Sequence, residues 1–146
     1  MEASIPTVVT ETADRILDRY DTFAVVGASP DRRRASHEVI GVLIDHGYRV
    51  VPVNPNAEVV RGMRCYPDLA SMPDDVKVDV VDIFRRSEEA GRHVDEAIAI
   101  GAKAVWMQLG VVDEAAAQRA RDAGLEVVID RCPAIELSRR GGRARQ

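Results

Sequence analysis

A short apolar segment near residue 25 is followed by residues suited to binding a phosphate group, Gly27-Ala28-Ser29-Pro30. A glycine directly after a buried strand lets the backbone approach a pyrophosphate, and loop N–H groups and the Ser29 hydroxyl can donate hydrogen bonds to its oxygens. Further positive charge follows from Arg32, Arg33 and Arg34. The segment predicts a phosphate cradle. A simple tight turn is the alternative, because a strand followed by Gly-x-Ser is a weak motif on its own.

The fingerprint of dinucleotide-binding proteins is incomplete in this segment. In the pattern Gly-x-Gly-x-x-Gly, Ser29 takes the second glycine position and Arg32 the third. A dinucleotide-binding domain also usually has an acid after its second strand, which holds the ribose 2′-hydroxyl, whereas here the sequence reads Val53-Asn54-Pro55. These differences disfavour NAD. The sequence also has no Gly-x-x-x-x-Gly-Lys-Ser/Thr loop, which disfavours a P-loop nucleotidase.

Five short runs rich in β-branched residues alternate with segments of helical periodicity, which is typical of an α/β fold with a parallel sheet. The runs cover residues 22–27, 49–53, 78–84, 104–108 and 126–130. We expect helices near 11–20, 37–46, 88–100 and 114–123. The last three of these helices have the expected N-caps Ser36, Ser87 and Asp113. The glycines expected at their C-terminal ends are Gly47, Gly101 and Gly124. The fold prediction is a Rossmann-like three-layer sandwich.

The default strand order for such a sheet is 3-2-1-4-5, which puts the topological switch point between the first and fourth strands. We expect a ligand there, at the carboxyl ends of the strands. The connection 54–77 contains three prolines and has room only for a short helix around 68–72, so we expect it to be mostly loop.

Composition restricts the possible classes of protein. The 146 residues suffice for one domain, which we place at 1–138, followed by a basic tail, 139–146, that we expect to be disordered. The net charge of −4 argues against general nucleic-acid binding, and no run is long and apolar enough to span a membrane. With two cysteines and no visible secretory signal, a reducing cytoplasm is the expected location.

Few other side chains point to catalysis or metal binding. His37, His46 and His93 lack metal-ligand spacing, so no metal is predicted. Asp79 and Asp82 could suggest paired acids, but we expect both on one face near a helix or strand edge. Cys132 follows Arg131 at the start of a final helical turn. The helix N-terminus and Arg131 could both stabilise a thiolate at Cys132. The alternative is that Cys132 is simply a small buried residue.

Six blocks carry a resemblance to a known family: FAVVGASPDRRRASHEV, GYRVVPVNPN, RGMRCYPDL, VDVVDIFRR, AIGAKAVWMQLGVV and VVIDRCPAIE. In order and spacing they resemble the small stand-alone CoA-binding domain proteins. These are similar to the CoA-binding domain of the α subunit of succinyl-CoA synthetase and of ADP-forming acyl-CoA synthetases. The blocks extend from about residue 22 to 136, and the ATP-grasp domain and phosphorylated histidine of the synthetases are not visible.

The resemblance implies a site for coenzyme A. It implies that the phosphates contact Gly27, Ala28 and Ser29, with charge from Arg32, Arg33 and Arg34. It implies that the adenosine is bordered by Val53, Asn54 and Pro55, that the groove is lined by Ile83, Phe84 and Arg85, and that the pantetheine arm is guided by Gln108, Leu109 and Gly110. Cys132 is a possible contact of the thiol. For several of these residues, a role in the core, a turn or the surface remains the alternative.

Two classes of function remain open from the sequence. The first is a non-catalytic protein that binds CoA or an acyl-CoA as a carrier, sensor or regulator, with no protein partner identified. The second is an enzyme, either a CoA-dependent transferase or ligase component that needs a partner subunit, or a nicotinamide-dependent oxidoreductase. The incomplete fingerprint and the missing ribose-binding acid count against the oxidoreductase.

Overall fold

The computed structural model describes residues 7–143 as an α/β fold. In chain order the elements are α1 (Val8–Arg19), β1 (Thr22–Val26), α2 (Ala35–Asp45), β2 (Arg49–Val53), β3 (Val59–Val60), β4 (Met63–Arg64), a 3-10 helix (Leu69–Ser71), β5 (Val80–Ile83), α3 (Ser87–Ala99), β6 (Ala104–Met107), α4 (Glu114–Asp122), β7 (Glu126–Val128) and α5 (Pro133–Arg139). No helix within residues 7–143 has the length and apolar character needed to cross a membrane.

The sheet lies between two layers of helices. Its five parallel strands follow the order β2-β1-β5-β6-β7. Alternate residues of β1 point to opposite sides: Phe23 and Val25 pack with α1, α2 and α5, whereas Ala24 and Val26 pack with α3 and α4. The predicted α/β class and Rossmann-like three-layer architecture are confirmed.

The predicted strand order is wrong. Numbered in chain order, the five sheet strands lie 2-1-3-4-5, so the order reverses between β1 and β5, the first and third strands, and not between the first and fourth. Pro52 gives a physical reason, because proline has no N–H for the ladder and suits an edge strand. At the outer edge of β2, Tyr66 forms an isolated bridge with Val53, and its N–H donates to the Pro52 carbonyl over 3.1 Å. By contrast, all four residues of β5 are fully buried, as in a central strand.

Two of the three predicted N-caps are also wrong. Asp113 caps α4 by accepting the Ala116 N–H over 3.0 Å, as expected. Helices α2 and α3 begin at Ala35 and at Ser87 itself, so Ser36 and Ser87 lie inside the first turn, where their hydroxyls bind neighbouring loops. The three predicted C-terminal glycines are confirmed, with φ angles of 77–91° at Gly47, Gly101 and Gly124.

The connection between β2 and β5 contains more structure than predicted. The 3-10 helix is capped by Asp68, close to the expected short helix. Strands β3 and β4 form an antiparallel hairpin that was not predicted, and its turn places Arg61 and Gly62 at positive φ angles of 51° and 76°. Each strand has only two residues, which is too short for an alternating pattern to be read from sequence.

Residues 139–143 of the expected basic tail contact the rest of the fold. Helix α5 includes Arg139, which binds Asp14 of α1 over 2.9 Å, and Arg140 binds Asp18. The guanidinium of Arg143 lies 3.9 Å from the ring centre of Tyr48. Acids on α1 and an aromatic face therefore hold a basic segment that looks solvent-exposed in the sequence. Residues 144–146 lie outside the described part of the chain.

The two acids near β5 share no face, contrary to expectation. Asp79 precedes β5 and accepts the N–H groups of Asp21 and Thr22, each over 3.1 Å. Asp82 lies within β5 with its side chain in the core beside Val25 and Trp106, and within residues 7–143 neither carboxyl oxygen has a hydrogen-bond partner. Burial raises the pKa of Asp82 well above its usual value. Folding therefore favours the protonated form of this acid.

Replacing Asp82 should remove a cost of folding at neutral pH. An acid with a raised folded-state pKa contributes stability at low pH that is lost as pH rises, by about 1.4 kcal/mol per pH unit, from its unfolded pKa of about 4 up to its folded pKa. Asp82→Asn should therefore unfold at higher denaturant concentration than the wild type at neutral pH, with the difference shrinking towards pH 4. Denaturation across this pH range measures it. Asp79→Asn is the control and should not stabilise; a pH-independent difference for Asp82→Asn would contradict the prediction.

Candidate functional site

The carboxyl ends of β1, β2 and β5 meet at Gly27. Its N–H donates to the Val53 carbonyl of β2 over 2.8 Å, while the N–H of Phe84, just after β5, donates to the Val26 carbonyl of β1 over 2.8 Å. Gly27 has a φ of 88°, and a Cβ atom there would lie 2.3 Å from the Phe84 carbonyl oxygen. Both the backbone angle and the space therefore require glycine, as the sequence predicted for a close turn.

The loop after Gly27 is held by side chains on both sides. Asn54 donates through Nδ2 to the Ala28 carbonyl over 2.7 Å and accepts the Asn56 N–H through Oδ1. The Ser29 N–H donates to the Ser36 hydroxyl over 3.1 Å, and the Ser29 hydroxyl accepts the Asp31 N–H over 3.0 Å. Asn54 thus positions the loop, and the Ser29 hydroxyl still has its own proton to donate.

Two clefts open beside this turn. The phosphate-loop cleft has a volume of about 390 Å³ and is lined by Gly27, Ser29, Ser36 and Asn54, among others. The long cleft has a volume of about 910 Å³ and extends to Gln108, Leu109, Gly110 and Cys132. The two clefts share four lining residues, Arg34, Ala35, Phe84 and Arg85. They form one continuous groove across the carboxyl ends of β1, β5 and β6.

Another depression, of about 940 Å³, lies at the opposite edge of the sheet. It is lined by residues 69–79 and 99–103, around the amino ends of β5 and β6. Its volume is close to that of the long cleft, so volume does not distinguish them. Ligands of open α/β sheets bind at the carboxyl ends near the strand-order reversal, where the glycine turn also lies. The groove is therefore the better candidate site.

The three consecutive arginines point to different places. Arg34 lines both clefts. Arg33 pairs with Asp31 over 3.1 Å, its side chain is 90% exposed, and its hydrogen bonds lower the pKa of Asp31. Arg32 lies with His37, Glu38 and Arg61 in another depression of about 510 Å³, which shares Glu38 with the long cleft. The structure thus brings one residue of the triplet to the groove and leaves the other two outside it.

Arg85 and Gln108 line the groove, and each carries an unpaired polar atom. The Nε atom of Arg85 and the Oε1 atom of Gln108 are buried and have no hydrogen-bond partner among the described residues. Gln108 as a whole is only 5% exposed. Buried polar groups are normally paired, so a donor and an acceptor left unpaired on a cleft wall mark positions that a polar ligand could satisfy. Both residues were predicted from the sequence.

The remaining predicted residues are not all brought to the groove. Val53 and Ile83 are buried in the core, and Pro55 is exposed but lines neither cleft. Ala28 is buried beneath the loop. Leu109 lines the long cleft and is 55% exposed at its rim. Val53 and Ile83 are the last residues of β2 and β5, and they stay in the core because helices cover both faces of the sheet.

Sequence reasoning missed three residues that hold the groove in place. Ser36 binds the phosphate loop, and Ser87 donates to the Gly110 carbonyl and accepts the Val112 N–H. Asp130 adopts a φ of 58° and accepts the Gly110 N–H through Oδ1 over 2.7 Å. The serines were assigned to capping because that role is common for serine near a helix start. Asp130 carried a weak signal, since aspartate tolerates the left-handed region better than most residues.

Cys132 lies on the wall of the long cleft, as the sequence suggested for a thiol contact. It is 7% exposed and precedes Pro133, the first residue of α5. The charge of Arg131 is shared with Glu136, whose Oε2 atom lies 3.6 Å from Nη1. Arg131 thus pairs with Glu136 of α5. The geometry does not support the expected role of Arg131 in stabilising a thiolate at Cys132.

Comparison with known proteins gives a consistent result. A family model described as a CoA binding domain matches residues 21–138. The protein YneT of Bacillus subtilis (strain 168), described as uncharacterized, is 36% identical over 117 residues, which cover 80% of this chain and 85% of that protein. A solved structure of a hypothetical protein from Pyrococcus horikoshii OT3 is 39% identical with a TM-score of 0.85, covering 95% of this chain and 98% of that one.

A larger enzyme contains a similar unit. The dinucleotide-forming acetyl-coenzyme A synthetase 1 of Ca. Korarchaeum cryptofilum, solved with phosphate and ADP, is 27% identical with a TM-score of 0.65. The match covers 77% of this chain but only 26% of the enzyme chain. The shared part is therefore one unit of a longer protein.

Because Gly27 lies against the Phe84 carbonyl, we expect the free energy of unfolding to depend strongly on side-chain size at position 27. Gly27→Ala should lower the free energy of unfolding by about 3 kcal/mol, because backbone strain at positive φ adds to a collision with a carbonyl oxygen. Gly62→Ala is the matched control: its φ is 76° but nothing lies within 4 Å of the added Cβ, so the loss should be about 1 kcal/mol. Urea denaturation measures both. Equal losses would show that the close approach to Phe84 is unimportant.

Proposed function

Since the chain belongs to the CoA-binding domain family, we propose that it binds coenzyme A or an acyl-CoA in the groove, as a non-catalytic carrier, sensor or regulator of acyl-CoA metabolism. The observation that carries the proposal is the glycine turn at the end of β1, which opens directly onto two clefts joined along Arg34 and Arg85. A ligand with a charged diphosphate end and a long, mostly uncharged arm matches a groove with these two parts.

The diphosphate belongs in the phosphate-loop cleft. The Ser29 hydroxyl is a donor there, and Arg34 and Arg85 add charge along the shared wall. A phosphate oxygen near Arg85 would satisfy the unpaired Nε atom. Because Arg32 and Arg33 point elsewhere, the principal charge comes from Arg34 and Arg85 in this proposal.

The pantetheine arm belongs in the long cleft. The arm alternates methylene groups with amides, so it needs apolar surface and a few hydrogen-bond partners. The cleft offers apolar contact from residues such as Val39, Phe84 and Leu109, and the unpaired Oε1 atom of Gln108 accepts an amide N–H. In this arrangement the thiol end approaches the far part of the cleft, near Cys132.

NAD fits the groove less well. The ribose of a dinucleotide is usually held by an acid after the second strand, and that position is Asn54. Asn54 uses both atoms of its amide to fix the phosphate loop and the turn at residue 56. A neutral amide engaged in this way does not offer the carboxylate that usually holds the ribose hydroxyls, which supports coenzyme A over a nicotinamide nucleotide.

A partner-dependent enzyme component is the second candidate function. Similarity to one unit of an acetyl-coenzyme A synthetase supports it, because that unit works within a longer chain. In this reading the protein would present CoA to a partner that supplies the nucleotide chemistry. ATP-dependent thioester formation that appears only when a partner is added would favour this candidate over the carrier.

Isothermal titration calorimetry with separate ligands tests the proposed function. Coenzyme A should bind with a stoichiometry near one per chain, and NAD and NADP should give no appreciable heat, because Asn54 replaces the ribose-binding acid. The titrations use the purified protein after ligand removal, checked by native mass spectrometry. Tight binding of NAD with no heat from CoA would overturn the proposal.

The arginines allow a matched test of the site. Arg85→Ala should weaken CoA binding about tenfold to a hundredfold, because a charge-assisted hydrogen bond to a phosphate is lost. Arg33→Ala removes the same charge from an exposed side chain that is paired with Asp31, and should change the affinity by about twofold or less. Calorimetry at two salt concentrations measures both variants. Equal weakening would mean that general charge, and not the groove, sets the affinity.

A further inference from the structure

Three hydrogen bonds fix the turn that carries Cys132. Asp130 accepts the Gly110 N–H, the Arg131 N–H donates to the Met107 carbonyl over 3.2 Å, and the indole Nε1 of Trp106 donates to the Arg131 carbonyl over 2.9 Å. Trp106 is fully buried. The backbone on the N-terminal side of Cys132 is thus tied to the end of β6 by bonds that bracket Gln108. Asp130 adopts the left-handed region in this turn, and such strain is often found at functional sites.

Cys132 lies beyond the part of the groove that holds the arginines. Arg34 and Arg85 line both clefts, whereas Cys132, Gln108 and Leu109 line the long cleft and not the phosphate-loop cleft. Gln108 is more than nine-tenths buried, and its unpaired Oε1 atom on the same wall marks a place for a ligand group. A ligand anchored by phosphates at Gly27 and extended along the long cleft therefore brings its far end to the thiol.

We propose that Cys132 is a site of covalent capture for the thiol end of the ligand, forming a mixed disulfide by exchange with a disulfide of coenzyme A. This inference rests on the proposed function, because the nucleotide must first be held in the groove. The Cys132 thiolate attacks one sulfur of the disulfide; the bond between the two CoA sulfurs breaks and a Cys132–CoA disulfide forms. The displaced CoA leaves as a thiolate and takes up the proton that Cys132 lost. One disulfide replaces another, so no other oxidant is needed.

The second cysteine provides an internal comparison. Cys65 is 6% exposed and lines neither cleft, and its thiol faces the Asn54 carbonyl at 3.7 Å. Burial raises the pKa of this thiol, which leaves less of the reactive thiolate. Similar exposure but a different location makes Cys65 the matched control for placement in the groove.

The test compares two disulfides of the same pantetheine arm. The reduced protein is incubated at about pH 8, where a free thiol is partly ionised, with CoA disulfide or with pantethine, which lacks the nucleotide. Intact-protein mass spectrometry follows the adduct over time in the wild type, Cys132→Ser and Cys65→Ser. We expect one CoA adduct in the wild type and Cys65→Ser and none in Cys132→Ser. The rate should saturate with CoA disulfide and exceed the pantethine rate about tenfold or more, because the bound nucleotide positions the sulfur.

Calorimetry under reducing conditions separates the two proposals. Under reducing conditions, where no disulfide can form, CoA should bind the wild type reversibly. If CoA binds but no adduct forms at Cys132, the covalent site is wrong and the proposed function stands. If CoA does not bind at all, the proposed function fails with it. An adduct on Cys65, or equal rates with both disulfides, would also overturn the inference.

Discussion

The close approach of Gly27 to Phe84 is the constraint on which the groove depends. The Gly27 N–H donates to the Val53 carbonyl of β2, and beside it the Phe84 N–H, just after β5, donates to the Val26 carbonyl of β1. A carbonyl oxygen lies 2.3 Å from the position of an added Cβ, so the strand ends can meet only because no side chain is present. The loop from Ala28 to Ser36 starts at this junction. Two of its residues, Arg34 and Ala35, line both clefts.

The distribution of unpaired polar groups separates stability from function. Asp82 is buried in the middle of β5 away from either cleft, and its raised pKa makes it a cost that packing of the sheet must offset. Arg85 and Gln108 also each have an unpaired buried atom, but these two residues follow strand ends and line the groove. Unpaired groups on a cleft wall are available to a ligand, whereas an unpaired group in a closed core is not. An unpaired buried polar group therefore indicates a cost in stability at Asp82 and a candidate ligand contact at Arg85 and Gln108.

Ordered connections give the groove its shape. Ser36 and Ser87 lie in the first turns of α2 and α3 and bind the loops that line opposite parts of the site. Asn54 and Asp130 do the same from the ends of β2 and β7. Each of these short polar side chains satisfies a loop N–H or carbonyl that would otherwise face the ligand space. The loops are thereby fixed before a ligand binds, which lowers the entropy lost on binding.

The sequence by itself determined the class of fold, the five sheet strands and the glycine turn, because apolar runs, helical periodicity and Gly27 are local signals, and its six blocks carried the resemblance to the family. It located Arg34, Arg85, Gln108 and Cys132 at one edge of the sheet, since carboxyl ends of parallel strands share an edge. Only the tertiary structure decided the strand order, the outward direction of Arg32 and Arg33, and the docking of Arg143 on Tyr48. These depend on partners distant in the chain, and a local pattern carries no information about which side chain a neighbour across the fold provides.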